Sequence, residues 1–158
     1  MEDNNLSNEL KANSIVFGAL TTGVVIFAVA SLAINKMNGP FINDPHLAEI
    51  FLIVVIAISI ICLFSAQLIY NKRGQNIQQS AVPLQEKLRQ YRAALIRYLA
   101  LNEAPALFSI IGFLLFGYFR FLAITVILLV NMFIKRPSKS RFIEELQLDT
   151  KEQQGLES

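Results

Sequence analysis

Apolar and polar positions fall into long blocks along this chain instead of alternating. Ser14 to Ile34 and Ile50 to Tyr70 are two runs of 21 residues without a charge. At about 1.5 Å of rise per residue, each predicts a helix that crosses a hydrocarbon core of roughly 30 Å. The second run is entered through Leu47-Ala48-Glu49, so the spans are expected at about 14–34 and 49–71. A third apolar block extends from Tyr98 to Pro137 and is broken near Gly117 and Arg120. It predicts a hairpin of two membrane segments, about 98–117 and 120–135. From Ala104 to Ile134 there are 31 residues, whereas two full spans need about 40. Both helices are therefore short, or the third starts earlier, near Tyr98 or Leu99, or the hairpin re-enters without crossing.

Between these blocks the polar pattern changes character. Residues 1–13 read as a polar, mildly acidic tail. Residues 35–46 read as a loop marked by Gly39-Pro40 and Asp44-Pro45. Asn71-Lys72-Arg73-Gly74 places cations and a glycine stop at the end of the second span. In the connector 72–97, Leu84, Leu88, Tyr91, Leu95 and Tyr98 recur at helical spacing behind Pro83, with Lys87, Arg89, Arg92 and Arg97 on other faces. That is the pattern of a basic amphipathic helix lying on anionic headgroups. Residues 137–158 form a polar tail in which Phe142, Ile143 and Leu146 share one face of a short helix.

Composition supports the same class. Charged residues make up 16% of the chain and hydrophobic ones 54%, against about 25% charged in soluble domains. The expected fold is all-α: a polytopic membrane protein with four membrane helices and a cytoplasmic basic amphipathic helix. Of the 14 Lys and Arg, only Lys36 and Arg120 fall on one side of that topology. The excess on the other side puts both termini and the basic helix in the cytoplasm. An apolar run near the N-terminus also raises the question of a cleaved signal, and Ala28-Val29-Ala30 has the right small residues. The acidic lead and the full spanning length favour an anchor.

Candidate chemistry is sparse. Glu103 is the only acidic residue between Glu86 and Glu144, and an ionisable group at membrane depth is a functional candidate. With Asn102 it forms the candidate ion-handling pair. The alternative makes Asn102 and Glu103 the first turn of a helix that carries Pro105, favoured there by the helix dipole. Asp44, His46 and Glu49 invite a metal reading. With one histidine in the whole chain, a turn and helix start is the simpler account. Ser14, Gly18, Thr22 and Gly23 give the first helix a small-residue stripe suited to close packing, against its own neighbours or against a second copy. Cys62 sits alone in an apolar run and excludes an intrachain disulfide. Neither a nucleophile triad nor a phosphate-binding loop is present. The chain is expected not to be an enzyme and to need no cofactor. Its partners are expected to be anionic lipid and a membrane protein or a second copy, not nucleic acid.

Two resemblances add to this reading. The segment RYLALNEAPALFSIIGFLLFG, followed by IKRPSKSRFIEELQL, resembles small, uncharacterised multi-pass membrane proteins of Bacteroidota-type bacteria. In that group an arginine-bearing helix leads into a Glu-x-Pro-Ala-Leu-Phe motif, matched here by Glu103 to Phe108, and an Arg-Pro-Ser/Thr stop follows the last span. The likeness covers the C-terminal half and implies a membrane location without a known activity. Glu103 to Gly117 is also similar to the carboxylate helix of rotary ATPase proteolipid subunits, which implies an ion-carrying Glu103. Pro105 and the lack of a glycine ladder in the first helix depart from that family.

Overall fold

A computed structural model describes residues 2–79 and 83–136. The fold is all-helical: α1 (Glu2–Asn38), α2 (Pro45–Gln79), α3 (Leu84–Phe116) and α4 (Phe119–Ile134). Three stretches are long and apolar enough to cross a membrane, Lys11–Asn38, Pro45–Ile77 and Arg89–Phe116. The fourth helix has 16 residues, about 24 Å of length.

Several boundaries differ from the sequence expectation. Residues 2–13, expected as a tail, are helical and continuous with α1. Gly74 does not stop α2, which runs on to Gln79. A glycine stop needs the left-handed conformation, and among the described residues only Gly39 and Gly117 have positive φ. The amphipathic stretch and the third membrane segment are one helix, α3, which begins after Pro83. Nothing between Arg97 and Asn102 breaks it. Residues 80–82 of the connector, and the tail 137–158 with its expected short helix, lie outside the described residues.

The third helix is the centre of the bundle. It packs against each of the other three, which touch one another only at their margins. Half of its spanning stretch is buried, against 22% for α1 and 17% for α2. The reason is compositional. Its spanning stretch is the least apolar of the three, and Asn102 and Ser109 within that stretch are fully buried, while the outer faces of α1 and α2 are apolar. Where the solvent is lipid, the helix with polar groups belongs inside.

Each outer helix presents a narrow seam to the centre. In α1, Asn13, Phe17, Thr21, Val24 and Ser31 are buried, spaced for one face of a helix. In α2 the buried positions Ala48, Val55, Ser59, Ala66, Tyr70 and Ile77 step by seven and four residues, a coiled-coil-like seam. The β-branched side chains between them, such as Ile53, Ile60 and Ile61, remain exposed.

At the end that holds the 39–44 loop, the open helix termini are closed by specific groups. Gly117 (φ 73°) ends α3 and its N–H donates to the Phe113 carbonyl at 2.7 Å. Asn35 of α1 donates from Nδ2 to the carbonyls of Phe113 and Leu114 at 3.2 and 3.3 Å. The N–H of Ile42 donates to the Leu115 carbonyl at 2.8 Å. Asp44 begins α2, its Oδ1 accepting from the N–H groups of His46 and Leu47 at 3.0 and 3.1 Å. Asp-Pro-His is thus a capped helix start with Pro at the first position, and no metal cluster forms among the described residues. Just below, Phe51 packs on Phe108, Phe116 and Phe121 with ring centroids 5.0, 5.6 and 5.9 Å away.

Gly112 is what lets these rings meet. A Cβ there would lie 2.7 Å from Phe121 Cδ1 and 2.9 Å from Phe51 Cε1. Both are ring atoms of aromatic side chains packed in the bundle, so neither can swing aside cheaply. Gly112→Ala is expected to destabilise the protein by about 1–3 kcal/mol as an overpacked core. A lowered midpoint in detergent unfolding checks this, whereas Gly18→Ala, facing open space, should leave the midpoint near its original value.

Candidate functional site: a polar layer inside the bundle

Asn102 is fully buried and lies 18 residues beyond the start of α3 at Leu84. It is therefore no helix cap, and the first-turn account of Asn102 and Glu103 does not hold. The helix simply begins too early for it. Its Nδ2 donates to the Tyr98 carbonyl of its own helix at 2.7 Å. Its Oδ1 accepts from Asn131 Nδ2 of α4 at 2.8 Å, and the Tyr98 hydroxyl donates to the Asn131 carbonyl at 3.4 Å. Tyr98, Asn102 and Asn131 thereby form one closed set that crosses from α3 to α4.

Two further bridges join the same pair of helices. Ser109 Oγ donates to the Phe121 carbonyl at 2.6 Å. Thr125 Oγ1 lies 3.3 Å from the Phe121 carbonyl and 3.4 Å from that of Ala106. Together the three levels hold one register along the hairpin. Sliding α4 by a residue would break the bonds between the helices at Ser109, Tyr98 and Asn131, at a cost that lipid cannot offset.

Glu103, the neighbour of Asn102, is half-buried. From Glu103 to the end of α3 at Phe116 is about 20 Å of helix, so it stands well along the apolar stretch from the Gly117 turn. Pro105, two residues on and buried, has no N–H to donate to the Leu101 carbonyl. Asn102, Glu103 and Pro105 make this the least hydrocarbon-like turn of α3 beyond Arg97.

The other expected site residues are scattered. Arg89 and Arg97 are exposed, and Lys87 and Arg92 are half-buried. Of the apolar face expected on headgroups, Tyr91, Leu95 and Tyr98 are buried in one cluster with Tyr70 and Ile77 of α2 and Phe17 of α1, so that part of it is covered by protein. The small-residue stripe also departs from close packing within the chain. Ser14, Thr22 and Gly23 are exposed and Gly18 half-buried, and a Cβ at either glycine would meet nothing within 4 Å. Phe17, Thr21 and Val24 take the inner face instead. Cys62 is unpaired and partly buried.

The sequence reading passed over Asn131. Its signal was available: it is the one amide in the apolar run from Phe119 to Ile134, and such residues serve as interhelical donors. It passed over Asn13 as well, which is buried with neither Oδ1 nor Nδ2 bonded to any described residue.

A double-mutant cycle on Asn102→Leu and Asn131→Leu is expected to give a coupling of about 0.6 kcal/mol and no more than about 1.7. Each single change should destabilise, because it leaves one buried amide without its partner, and the double change should cost less than the sum of the two. Equilibrium unfolding in mixed micelles reads both quantities. Comparison of the chain with family models, curated proteins and solved structures returns no match.

Proposed function

We propose that this is a small polytopic protein of the bacterial cytoplasmic membrane, with four membrane segments and both termini in the cytoplasm, acting as an accessory or interaction protein. The interior is the observation that carries this reading. Its polar groups bond largely to one another or to backbone carbonyls, and aromatic and aliphatic side chains fill the rest. Such an interior suits holding a shape, while the outer surfaces of α1 and α2 offer lipid or another membrane helix a large apolar face, with Ile26, Val29, Ile53, Ile61 and Phe64 all exposed. Neither chemistry nor transport is needed to account for these features.

The shortness of α4 fits this picture. About 24 Å of helix is less than a hydrocarbon core of roughly 30 Å. Arg136, exposed, follows it at one end, where a long basic side chain reaches the headgroups and makes up the difference. Arg120 does the same at the other end, its guanidinium 5.0 Å from the ring centre of Tyr118.

A second reading is favoured by Glu103 alone. A half-buried carboxylate inside a long apolar helix is a group that could take up and release a proton, and the protein would then be a proton- or cation-handling subunit. In proteoliposomes with an imposed gradient, the accessory reading expects no flux above protein-free vesicles. Flux that Glu103→Gln abolishes in a folded protein establishes the carrier.

Topology is tested directly. In a Cys62→Ser background, Asn43→Cys is expected to react with a membrane-impermeant maleimide in intact cells. Gln75→Cys should react only after permeabilisation. The reverse pattern overturns the orientation, and labelling of both from outside overturns the crossing by α2.

A further inference from the structure

At the end that holds the 39–44 loop, a groove of about 500 Å³ runs between α1 and the turn that joins α3 to α4. Val29, Leu32, Ala33 and Lys36 form the α1 wall, at i, i+3, i+4 and i+7, the spacing of a single helix face. Phe113, Gly117 and Phe119 form the other. The ring centroids of Phe113 and Phe119 are 5.6 Å apart, so the buried Phe113 supports the exposed Phe119 at the rim. Asn35 also lines the groove, its Nδ2 already bonded to the carbonyls of Phe113 and Leu114.

We infer that this groove holds one acyl chain of an anionic phospholipid, with the headgroup phosphate against Lys36. The order of polarity along the wall carries the assignment. Val29, Leu32 and Ala33 offer hydrocarbon, and the same face ends in the Lys36 ammonium, about 10 Å further along the helix. A molecule with an apolar tail and a negative head matches that order. The Lys36 side chain is exposed, and no ion pair joins it to a described residue. Asp44 and Glu49, the acidic residues of this end, do not line the groove, and the Asp44 carboxylate caps α2. An anion at Lys36 therefore replaces no protein partner.

The small-residue stripe of α1 becomes intelligible on this account. Gly18, Thr22 and Val25 lead into Val29 at steps of four, three and four residues, so they extend the groove wall along one helix face. Thr22, Val25 and Val29 are exposed, and a Cβ on Gly18 would meet nothing within 4 Å. No described side chain packs close on that glycine. A low ridge continuing from the recess at Ala33 and Gly117 is what a chain reaching toward the bilayer middle would follow.

The inference rests on the membrane reading but not on which side the termini face. The chain has no tryptophan, so full-length Phe119→Trp carries one fluorescent reporter at the rim. Ile53→Trp carries one on the exposed face of α2. Each is reconstituted into vesicles of phosphatidylcholine and phosphatidylglycerol in which one lipid or the other bears brominated acyl chains, which quench on contact. At Ile53→Trp the two brominated lipids should quench equally at equal mole fraction. At Phe119→Trp brominated phosphatidylglycerol should bind about fivefold more tightly than brominated phosphatidylcholine, the factor that one cation near the surface supplies. Lys36→Gln should bring that ratio close to one. Ala33→Leu, which fills the recess and suits a helix, should reduce quenching at Phe119→Trp to the Ile53→Trp level for both lipids. Should Ala33→Leu fail to insert, Lys36→Gln, at an exposed position, still decides. Equal quenching by the two lipids at Phe119→Trp overturns the site, as does a ratio that Lys36→Gln leaves unchanged. Quenching weaker at Phe119→Trp than at Ile53→Trp places a second copy over the groove and overturns lipid as its occupant. No quenching of Ile53→Trp by either lipid defeats the membrane reading instead, so the two failures are told apart.

Discussion

A polar group that faces hydrocarbon has no water to turn to, and the arrangement of this protein follows from that constraint. The helix that carries Asn102, Glu103 and Ser109 within its apolar stretch is the one packed against the other three. Asn102, which water could satisfy in a soluble protein, is satisfied here by Tyr98 of its own helix and Asn131 of α4. The same rule governs the backbone. The last carbonyls of α3 are met by Gly117, Asn35 and Ile42, which draws α1 and the 39–44 loop against the turn between α3 and α4. Satisfying those groups is also what positions the helices.

Packing then follows residue size. Near the Gly117 turn a glycine on α3 admits two phenylalanine rings from different helices. Near the other end Tyr70 packs against Tyr91 and Tyr98, in one cluster with Phe17. The tyrosine hydroxyls serve the region where the bundle leaves the apolar stretch, as amphipathic rings do at an interface. The aromatic core thus takes on phenols toward this end of α3, in step with the surroundings it must match. The accessory role proposed for the protein draws on this closely packed interior.

Much of the candidate site was within reach of the sequence, but only as separate residues. Asn102 and Glu103 stood out because they interrupt an apolar run, and the doubt about them was where their helix began. That was settled by Tyr91, Leu95 and Tyr98, which find partners in Tyr70 and Ile77 of α2. Once that face is covered by protein, the helix extends back to Leu84 and the two polar residues fall in its interior. The same contact overrode the local stop expected at Gly74. Periodicity showed an apolar face on this stretch without showing what would cover it, since a headgroup layer and another helix demand the same spacing.

By itself, the amino-acid sequence determined the helical class, the apolar stretches able to cross a membrane, the capped start of α2 at Asp44-Pro45 and the turn at Gly117. Each of these depends on neighbours within a few residues: run length, side-chain polarity, a capping oxygen, a backbone conformation open to glycine. Only the tertiary structure decided which helix lies at the centre and which face of α1 turns inward. It alone paired Asn131 with Asn102, and it left a groove between α1 and the Gly117 turn. Those outcomes depend on which surfaces meet, and α1 offered two plausible seams, one of small residues and one built on Phe17, Thr21 and Val24. The larger side chains won because they fill the space against α3, while the small ones would have left it empty.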